Sequence, residues 1–300
     1  MISPDQRAAG AGLDSVASAG EGSNFNRRAA SAFVLAPVAI ATAYIGGWLF
    51  LMVWLAAAGG ILWEWTLLVL RRADPAALVP GAAALLAATV LASLGQPGAA
   101  GLAVVVGAGA VLAGLAPGTL YRTGGPSGES AWAALGVIYA GIALLGPVLL
   151  RRDPELGFVA LLFLFATVWA NDVFSYFVGR AVGGPLLWPL LSPNKTWAGA
   201  VGGLVGGTAG GTLVAYTSGV GSVAAVGGVA LVLSVLAQAG DLLESAIKRR
   251  FGAKDAGRLI PGHGGLMDRL DGFLVAAMAA FVIGLLRRGV DAPAQGLLIW

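Results

Sequence analysis

Cysteine is absent from this 300-residue chain, histidine occurs once, and charged side chains make up only 11% of it. The missing thiols exclude disulfide staples, thiolate nucleophiles and Cys-ligated zinc or iron–sulfur sites, and a single His excludes a two-His metal cage. Any metal must sit on oxygen ligands. So low a charge content, against roughly 25% in soluble domains, together with 58% hydrophobic residues and a mean hydropathy of +0.84, marks an integral membrane protein. The 47 glycines show no three-residue period of the collagen kind and suit membrane helices whose backbones approach closely. A net charge of +3 gives no argument for a nucleic-acid partner, because basic residues in so apolar a chain usually report topology.

A membrane crossing needs about 20 apolar residues at about 1.5 Å each. Residues 1–28 are polar, small and aperiodic, with Asp5, Asp14 and Glu21 and no early apolar run. They read as a disordered cytoplasmic tail rather than a signal peptide. From Ala29 to Leu70 the only charge is Glu64, and Gly46-Gly47 offers a hinge between two helices. The uncharged run from Pro75 to Tyr121 is split at Gly95-Gln96-Pro97-Gly98 into a second pair. Ser130–Leu150 makes a fifth span and Leu156 to about Val178 a sixth, which carries Asp172. Thr196–Gly240 gives a seventh and eighth around the turn at residues 218–222, and Leu270–Leu286 a shorter ninth. The expectation is an all-α polytopic membrane protein of about nine transmembrane helices. Residues 29–150 form its amino-terminal spans, 151–290 a carboxy-terminal region where chemistry is to be sought, and 291–300 a tail.

With the amino terminus inside, fourteen Lys and Arg fall on one side of the membrane and four, Arg151, Arg152, Arg287 and Arg288, on the other. The positive-inside rule then places the loop after the eighth helix in the cytoplasm.

Eleven of the charged residues lie between Asp241 and Asp271, a third of all charges in about a tenth of the chain. A solvated loop is the plain explanation, but the spacing is specific. If the eighth helix continues past Gly240, then Asp241, Glu244, Ser245 and Lys248 fall at i, i+3, i+4 and i+7 on one face. Asp268 and Asp271, three apart beside Arg269, share a face at the start of the ninth helix. Helix capping and a shared divalent cation explain that pair equally well. With Asp241 added, the set offers hard oxygen ligands suited to magnesium, and Lys248, Arg249, Lys254 and Arg258 surround it as an anionic phosphate would require.

Between the helices, Pro261-Gly262-His263-Gly264-Gly265 could turn backbone N–H groups toward an anion, and His263 could be an acid, a base or a structural donor. Upstream, Asp172 lies within an apolar helix, where an ionisable group is functional by default and an interhelical hydrogen bond or ion pair is the alternative. Ser192-Pro193-Asn194-Lys195-Thr196-Trp197 precedes the seventh helix. There Ser192 and Lys195 could grip phosphate and Trp197 could anchor at the interface, although a turn with an interfacial Trp reads equally well. Glu64, near a helix end, raises only a weak suspicion.

The run from Gly240 to Arg249, then Lys254-Asp255, Leu259-Ile260-Pro261-Gly262-His263-Gly264-Gly265 and Asp268-Arg269-Leu270-Asp271, resembles the pattern of the phosphatidate cytidylyltransferases, or CDP-diglyceride synthases. Ser192–Gly199 and the set Asp172, Tyr176 and Gly179 match it too, so the resemblance spans the carboxy-terminal half. The first five helices agree in hydropathy. One departure is Val173-Phe174-Ser175, bulkier than the small residues many bacterial members carry after the sixth-helix Asp.

The resemblance implies transfer of a cytidylyl group from CTP to phosphatidate, giving CDP-diacylglycerol and pyrophosphate, on the cytoplasmic side of the cell membrane. It implies Mg2+, alone or with a second cation, and a homodimer. Asp241 and Asp268 would hold the metal with Asp271 in support. Ser245, Lys248 and Arg249 would contact phosphates, and Lys254, His263 and Arg269 would join Ser192 and Lys195 around the substrates. Two other readings are a family member acting on another lipid phosphate and an ion-coupled transporter using Asp172 and the Asp241 cluster. No second copy of the charged cluster occurs in the first half, as an inverted repeat would often give.

Overall fold

The computed structural model describes residues 36–123, 128–257, 259 and 264–300. The expected tail at residues 1–28 and His263 lie outside the described residues. Among the described residues the elements are all helices apart from one small hairpin. Helix α1 is described over Ala36–Ile45. It is followed by α2 (Gly47–Leu70), α3 (Pro75–Ser93), α4 (Pro97–Thr123), α5 (Gly128–Arg151) and α6 (Gly157–Val182). An antiparallel pair, β1 (Leu186–Trp188) and β2 (Ser192–Thr196), leads into α7 (Trp197–Thr217), α8 (Val223–Arg250), α9 (Met267–Arg288) and α10 (Pro293–Leu298). Helices α2 to α9 are each long and apolar enough to cross a membrane.

Local chemistry sets the breaks. Gly46 and Gly47, with φ of 67° and 57°, occupy the left-handed region that glycine enters freely and separate α1 from α2 as the hinge expectation required. Thr196 and Ser222 cap α7 and α8 through the amides of Gly199 (3.1 Å) and Ala225 (3.4 Å). Asp74 accepts from Ala76 N at 3.0 Å, and Pro75 opens α3. The eighth helix runs past the apolar stretch ending at Gly240 to Arg250, the continuation on which the polar stripe depended, and the ninth spans 22 residues rather than 17. Both extensions carry charged residues, which a search for apolar runs excludes although helical geometry accepts them.

Helix α5 is the most buried span and packs against α2, α3, α4 and α9. Helices α6 and α7 approach through glycine. A methyl group added at Gly206 would lie 2.4 Å from the Phe174 ring, and one at Gly210 would lie 2.8 Å from the Ala166 carbonyl oxygen. Close backbone approach gained from small residues is how helices associate where no hydrophobic force distinguishes protein from lipid.

Residues 291–300, expected as a tail, instead carry α10, with Pro293, Ala294, Gly296, Leu297 and Leu298 buried. Gly284 of α9 lies against it so closely that a Cβ there would fall 1.9 Å from the Pro293 carbonyl oxygen. Between Asp291 and Trp300 the segment is uncharged and, apart from Gln295, apolar, and burying it removes that surface from solvent. Three of the four basic residues that ran against the charge rule have structural work at this end of the bundle. Arg151 donates to the carbonyls of Ala43 and Tyr44, and Arg287 donates to Gly296 and Ile299 while lying 3.5 Å from the Trp300 ring centroid. Arg288 donates to Gln295 Oε1 at 3.2 Å. Arg151 and Arg287 thus satisfy carbonyls that helix ends leave without partners.

Candidate active site

Alternating spans bring the carboxy ends of α2, α6 and α8 and the amino ends of α7 and α9 to one end of the bundle. There α6, the hairpin, α7 and α8 enclose a cavity of about 610 Å³. From α6 it is lined by Asp172, Ser175, Tyr176 and Gly179, one helical face at three- and four-residue steps. The hairpin supplies Ser192 and Lys195, and α8 supplies Gln238 and Asp241. Lys195 forms an ion pair with Asp241, each side chain about a third exposed (32% and 33%). Gln238 Nε2 donates to Asn171 Oδ1 (2.8 Å) and to the Ala200 carbonyl (2.9 Å), tying α8 to α6 and α7 at the cavity edge. Asn171 Nδ2 in turn donates to Asp172 Oδ1 at 3.4 Å. Ser175 faces the cavity, whereas Val173 and Phe174 do not line it. The bulk of Phe174 is accommodated over Gly206, so the departure at positions 173–175 leaves the cavity's polar face in place.

A second cluster lies between α8 and α9. Lys248 Nζ bridges Glu244 Oε1 (3.0 Å) and Asp268 Oδ1 (2.5 Å), and the three side chains are 12%, 0% and 10% exposed. The other oxygen of Asp268 accepts the amides of Ala256 (2.9 Å) and Gly265 (3.0 Å). Asp271 Oδ1 accepts its neighbour's amide, Gly272 N, at 2.7 Å and lies within Coulombic range of Asp241, Asp172 and Lys195. Glu244 is in range of both Asp271 and Asp268. The cavity and the α8–α9 cluster are therefore electrically continuous: five carboxylates face the ammonium groups of Lys195 and Lys248.

The stripe expected on α8 is real but divided. Asp241 turns to the cavity and Lys195, while Glu244 and Lys248 turn to α9, because the stripe lies where α8 meets α7 on one flank and α9 on the other. Asp268 and Asp271 also part company, the first held by Lys248 and loop amides, the second placed toward Asp241. Ser245 is half-buried on α8, and Arg249 is exposed with a 3.4 Å bond to the Ala253 carbonyl. Lys254 is exposed in the loop, and Arg269 is exposed on the first turn of α9. None of these four lines the cavity.

One contributor escapes a reading of the sequence alone, and a second, Glu64, raises only a weak suspicion there. Gln238 sits one turn before Asp241 on the same face of α8, which is the signal that could have found it. Glu64, 1% exposed, reaches across the bundle to accept the amides of Leu266 (3.0 Å) and Met267 (2.8 Å) at the start of α9. Its signal was to be the only charge in the long run from Ala29 to Leu70.

Among the described residues no three of Asp, Glu and His converge closely enough to hold one metal ion. Magnesium is commonly held by one or two carboxylates, with substrate phosphates and water completing its shell. A donor set made of carboxylate oxygens, with Asp241 and Asp271 in mutual Coulombic range and Asp268 three residues before Asp271 on α9, fits an ion of that kind in its chemistry.

These features define a class: a polytopic helical membrane protein with a carboxylate-rich site, countered by lysines, at one end of its bundle. The chain belongs to the cytidylyltransferase family, whose model matches residues 26–286. It is similar to the phosphatidate cytidylyltransferase of Brucella suis biovar 1 (strain 1330), 40% identical over 276 residues that cover 90% of this chain and 97% of the relative. The protein of the same name from Brucella abortus biovar 1 (strain 9-941) is 40% identical over 267 residues, 87% of this chain and 94% of the relative. The one from Staphylococcus aureus (strain COL) is 38% identical over 147 residues, 49% of this chain and 55% of the relative. The Brucella likeness extends well into the amino-terminal spans, beyond the agreement in hydropathy expected there.

Proposed function

We propose that this chain transfers the cytidylyl group of CTP to phosphatidate, forming CDP-diacylglycerol and releasing pyrophosphate, at the cytoplasmic face of the cell membrane. The observation that carries the reading is the cavity holding Lys195, Asp241 and Asp172 beside the Lys248–Asp268 cluster, in a chain 40% identical along most of its length to enzymes of that name. A phosphate oxygen of the lipid attacks the α-phosphorus of CTP in line. The new P–O bond forms as the bond from the α-phosphorus to the bridging oxygen breaks, and pyrophosphate carries the electron pair away. Phosphatidate is already ionised near pH 7, so the reaction needs positioning and charge neutralisation more than a strong base.

Asp241 and Asp271, with Asp268, are the residues that would hold magnesium, which when bound supplies charge neutralisation for the phosphates and the leaving group. Lys195 stands on the rim in a position to exchange Asp241 for a substrate phosphate. Lys248 holds Asp268 in place and offsets the buried negative charge of Glu244. Asp172 and Ser175 line the α6 wall, and the Gln238–Asn171 hydrogen bond ties α8 to α6 beside them. The fourteen-to-four distribution of basic residues supports a cytoplasmic site, which is where a nucleotide that cannot cross the bilayer would be met.

The test is the purified full chain in detergent with labelled CTP and phosphatidate, with and without magnesium. Radiolabelled CDP-diacylglycerol with matched pyrophosphate release is the expected product. Formation of neither, at any magnesium concentration and with correctly folded protein, would overturn the reading. An ether-linked lipid phosphate run in parallel separates phosphatidate from other lipid acceptors.

A further inference from the structure

Helix α9 begins at Met267, and its N-cap residue, Leu266, has no side chain able to accept the free amides of the first turn. A carboxylate from the other half of the chain does so: Glu64 Oε1 accepts Leu266 N at 3.0 Å and Oε2 accepts Met267 N at 2.8 Å. The preceding amide, Gly265 N, is taken by Asp268 Oδ2 at 3.0 Å. Three successive amides are thus held by two carboxylates, one reaching in from α2 and the other folding back from α9. Anionic groups at a helix amino terminus complete its unpartnered N–H groups and interact favourably with its dipole.

The fit leaves no slack. A Cβ on Gly265 would fall 2.8 Å from both Asp268 Oδ2 and Glu64 Oε2, and one on Gly257 would fall 2.4 Å from Glu64 Oε1. A Cβ on Gly60, one turn before Glu64 on α2, would lie 2.8 Å from the Leu266 side chain. Glu64 therefore sits in a socket shaped by the loop that also determines where Asp268 points.

We propose that Glu64 is a positioning residue for Asp268: it clamps the first turn of α9 from α2, so that Asp268 is presented to Lys248 and to the reacting phosphates. The proposal rests on the cytidylyl-transfer reading for the role of Asp268, while the clamp itself can be measured without it. Glu64→Gln keeps volume and one carbonyl acceptor but places an amide donor against a backbone N–H. Glu64→Asp keeps the charge on a shorter arm.

In the full-length protein in detergent, hydrogen exchange should quicken at least tenfold at the amides of Leu266 and Met267 in Glu64→Gln. Exchange in α5 and α6 should stay as in the unaltered protein. The kcat for cytidylyl transfer should fall about 10- to 100-fold, the range found when groups that orient a reacting centre's ligands are removed. KM for CTP should change less than about threefold, because ground-state binding is expected to depend less on this orientation than the transition state does. Glu64→Asp should recover part of the lost kcat.

Faster exchange with unaltered kcat would show that Glu64 caps the helix without positioning Asp268, and would overturn the proposal. So would unchanged exchange at residues 266 and 267, or failure of both variants to fold, which would make the residue purely structural. If the unaltered protein transfers no cytidylyl group, the enzymatic reading falls, and the role given to Asp268 falls with it. The exchange arm still reports separately whether the clamp exists.

Discussion

Lys248 offers the sharpest test of the energetics. Its ammonium touches Glu244 at 3.0 Å and Asp268 at 2.5 Å, and all three side chains are at most 12% exposed. At about 3 Å and an effective dielectric of about 20, each contact is worth about 5 kcal/mol of Coulomb attraction before desolvation is subtracted. Desolvating three charges offsets most of that gain, so the cluster contributes little net stability while intact. Removing the cation alone is a different matter. Lys248→Met leaves Glu244 and Asp268 buried without the cation that both of them touch, and such a change costs about 3–5 kcal/mol. Adding Glu244→Gln neutralises the more buried carboxylate, and the double variant should regain at least about 1 kcal/mol relative to the single one, a coupling expected of residues in direct contact. The assay is the denaturation midpoint of the full chain in mild detergent, read by tryptophan fluorescence and by retention of the monodisperse peak after heating. A wild-type midpoint for Lys248→Met, or a double variant no more stable than the single, would refute the buried-cluster reasoning.

Asp241→Asn and Asp268→Asn should each lower cytidylyl transfer about a thousandfold or more while leaving folded protein in the membrane, since a lost metal ligand removes several kcal/mol of charge stabilisation. Near-normal turnover by both at saturating magnesium would remove the metal assignment. Gly207→Ala should destabilise by about 1–3 kcal/mol, because its Cβ would fall 2.8 Å from the Thr167 carbonyl oxygen and 2.3 Å from Ser234 Oγ. Gly228→Ala, with nothing within 4 Å of the added carbon, should be neutral or slightly stabilising in the same melting assay. For orientation, the chain's lack of cysteine permits single reporters. Asp255→Cys, exposed in the α8–α9 loop, should resist a membrane-impermeant maleimide in intact cells until the membrane is opened, and Ser218→Cys should react at once. Ala256 is a poor reporter site because it is only 6% exposed. Labelling of Asp255→Cys from outside would reverse the proposed topology.

Much of this protein is legible in its sequence because a bilayer imposes one-dimensional rules. Apolar runs of about 20 residues must be helices, since no water is present to satisfy an open backbone. The spans, the Gly46-Gly47 break and the continuation of a polar stripe past Gly240 follow from length, glycine and 3.6-residue periodicity. The concentration of charge between Asp241 and Asp271 likewise pointed to the candidate site, because charge inside an apolar chain is costly unless it is used.

What periodicity could not supply is which neighbour each polar side chain meets. That α8 turns Asp241 toward Lys195 but Lys248 toward Asp268 depends on where α7 and α9 pack around it. That the apolar residues after Asp291 form a buried helix depends on the groove beside Gly284. The contact between Glu64 and the amides of Leu266 and Met267 joins positions some 200 residues apart in the chain, and only the packing of α2 against the α8–α9 loop brings them together. The sequence by itself determined the membrane class, the membrane-spanning helices and the residue types of the candidate site. The tertiary structure decided the partners, because a hydrogen bond or an ion pair is made by distance in space and leaves no period in the chain.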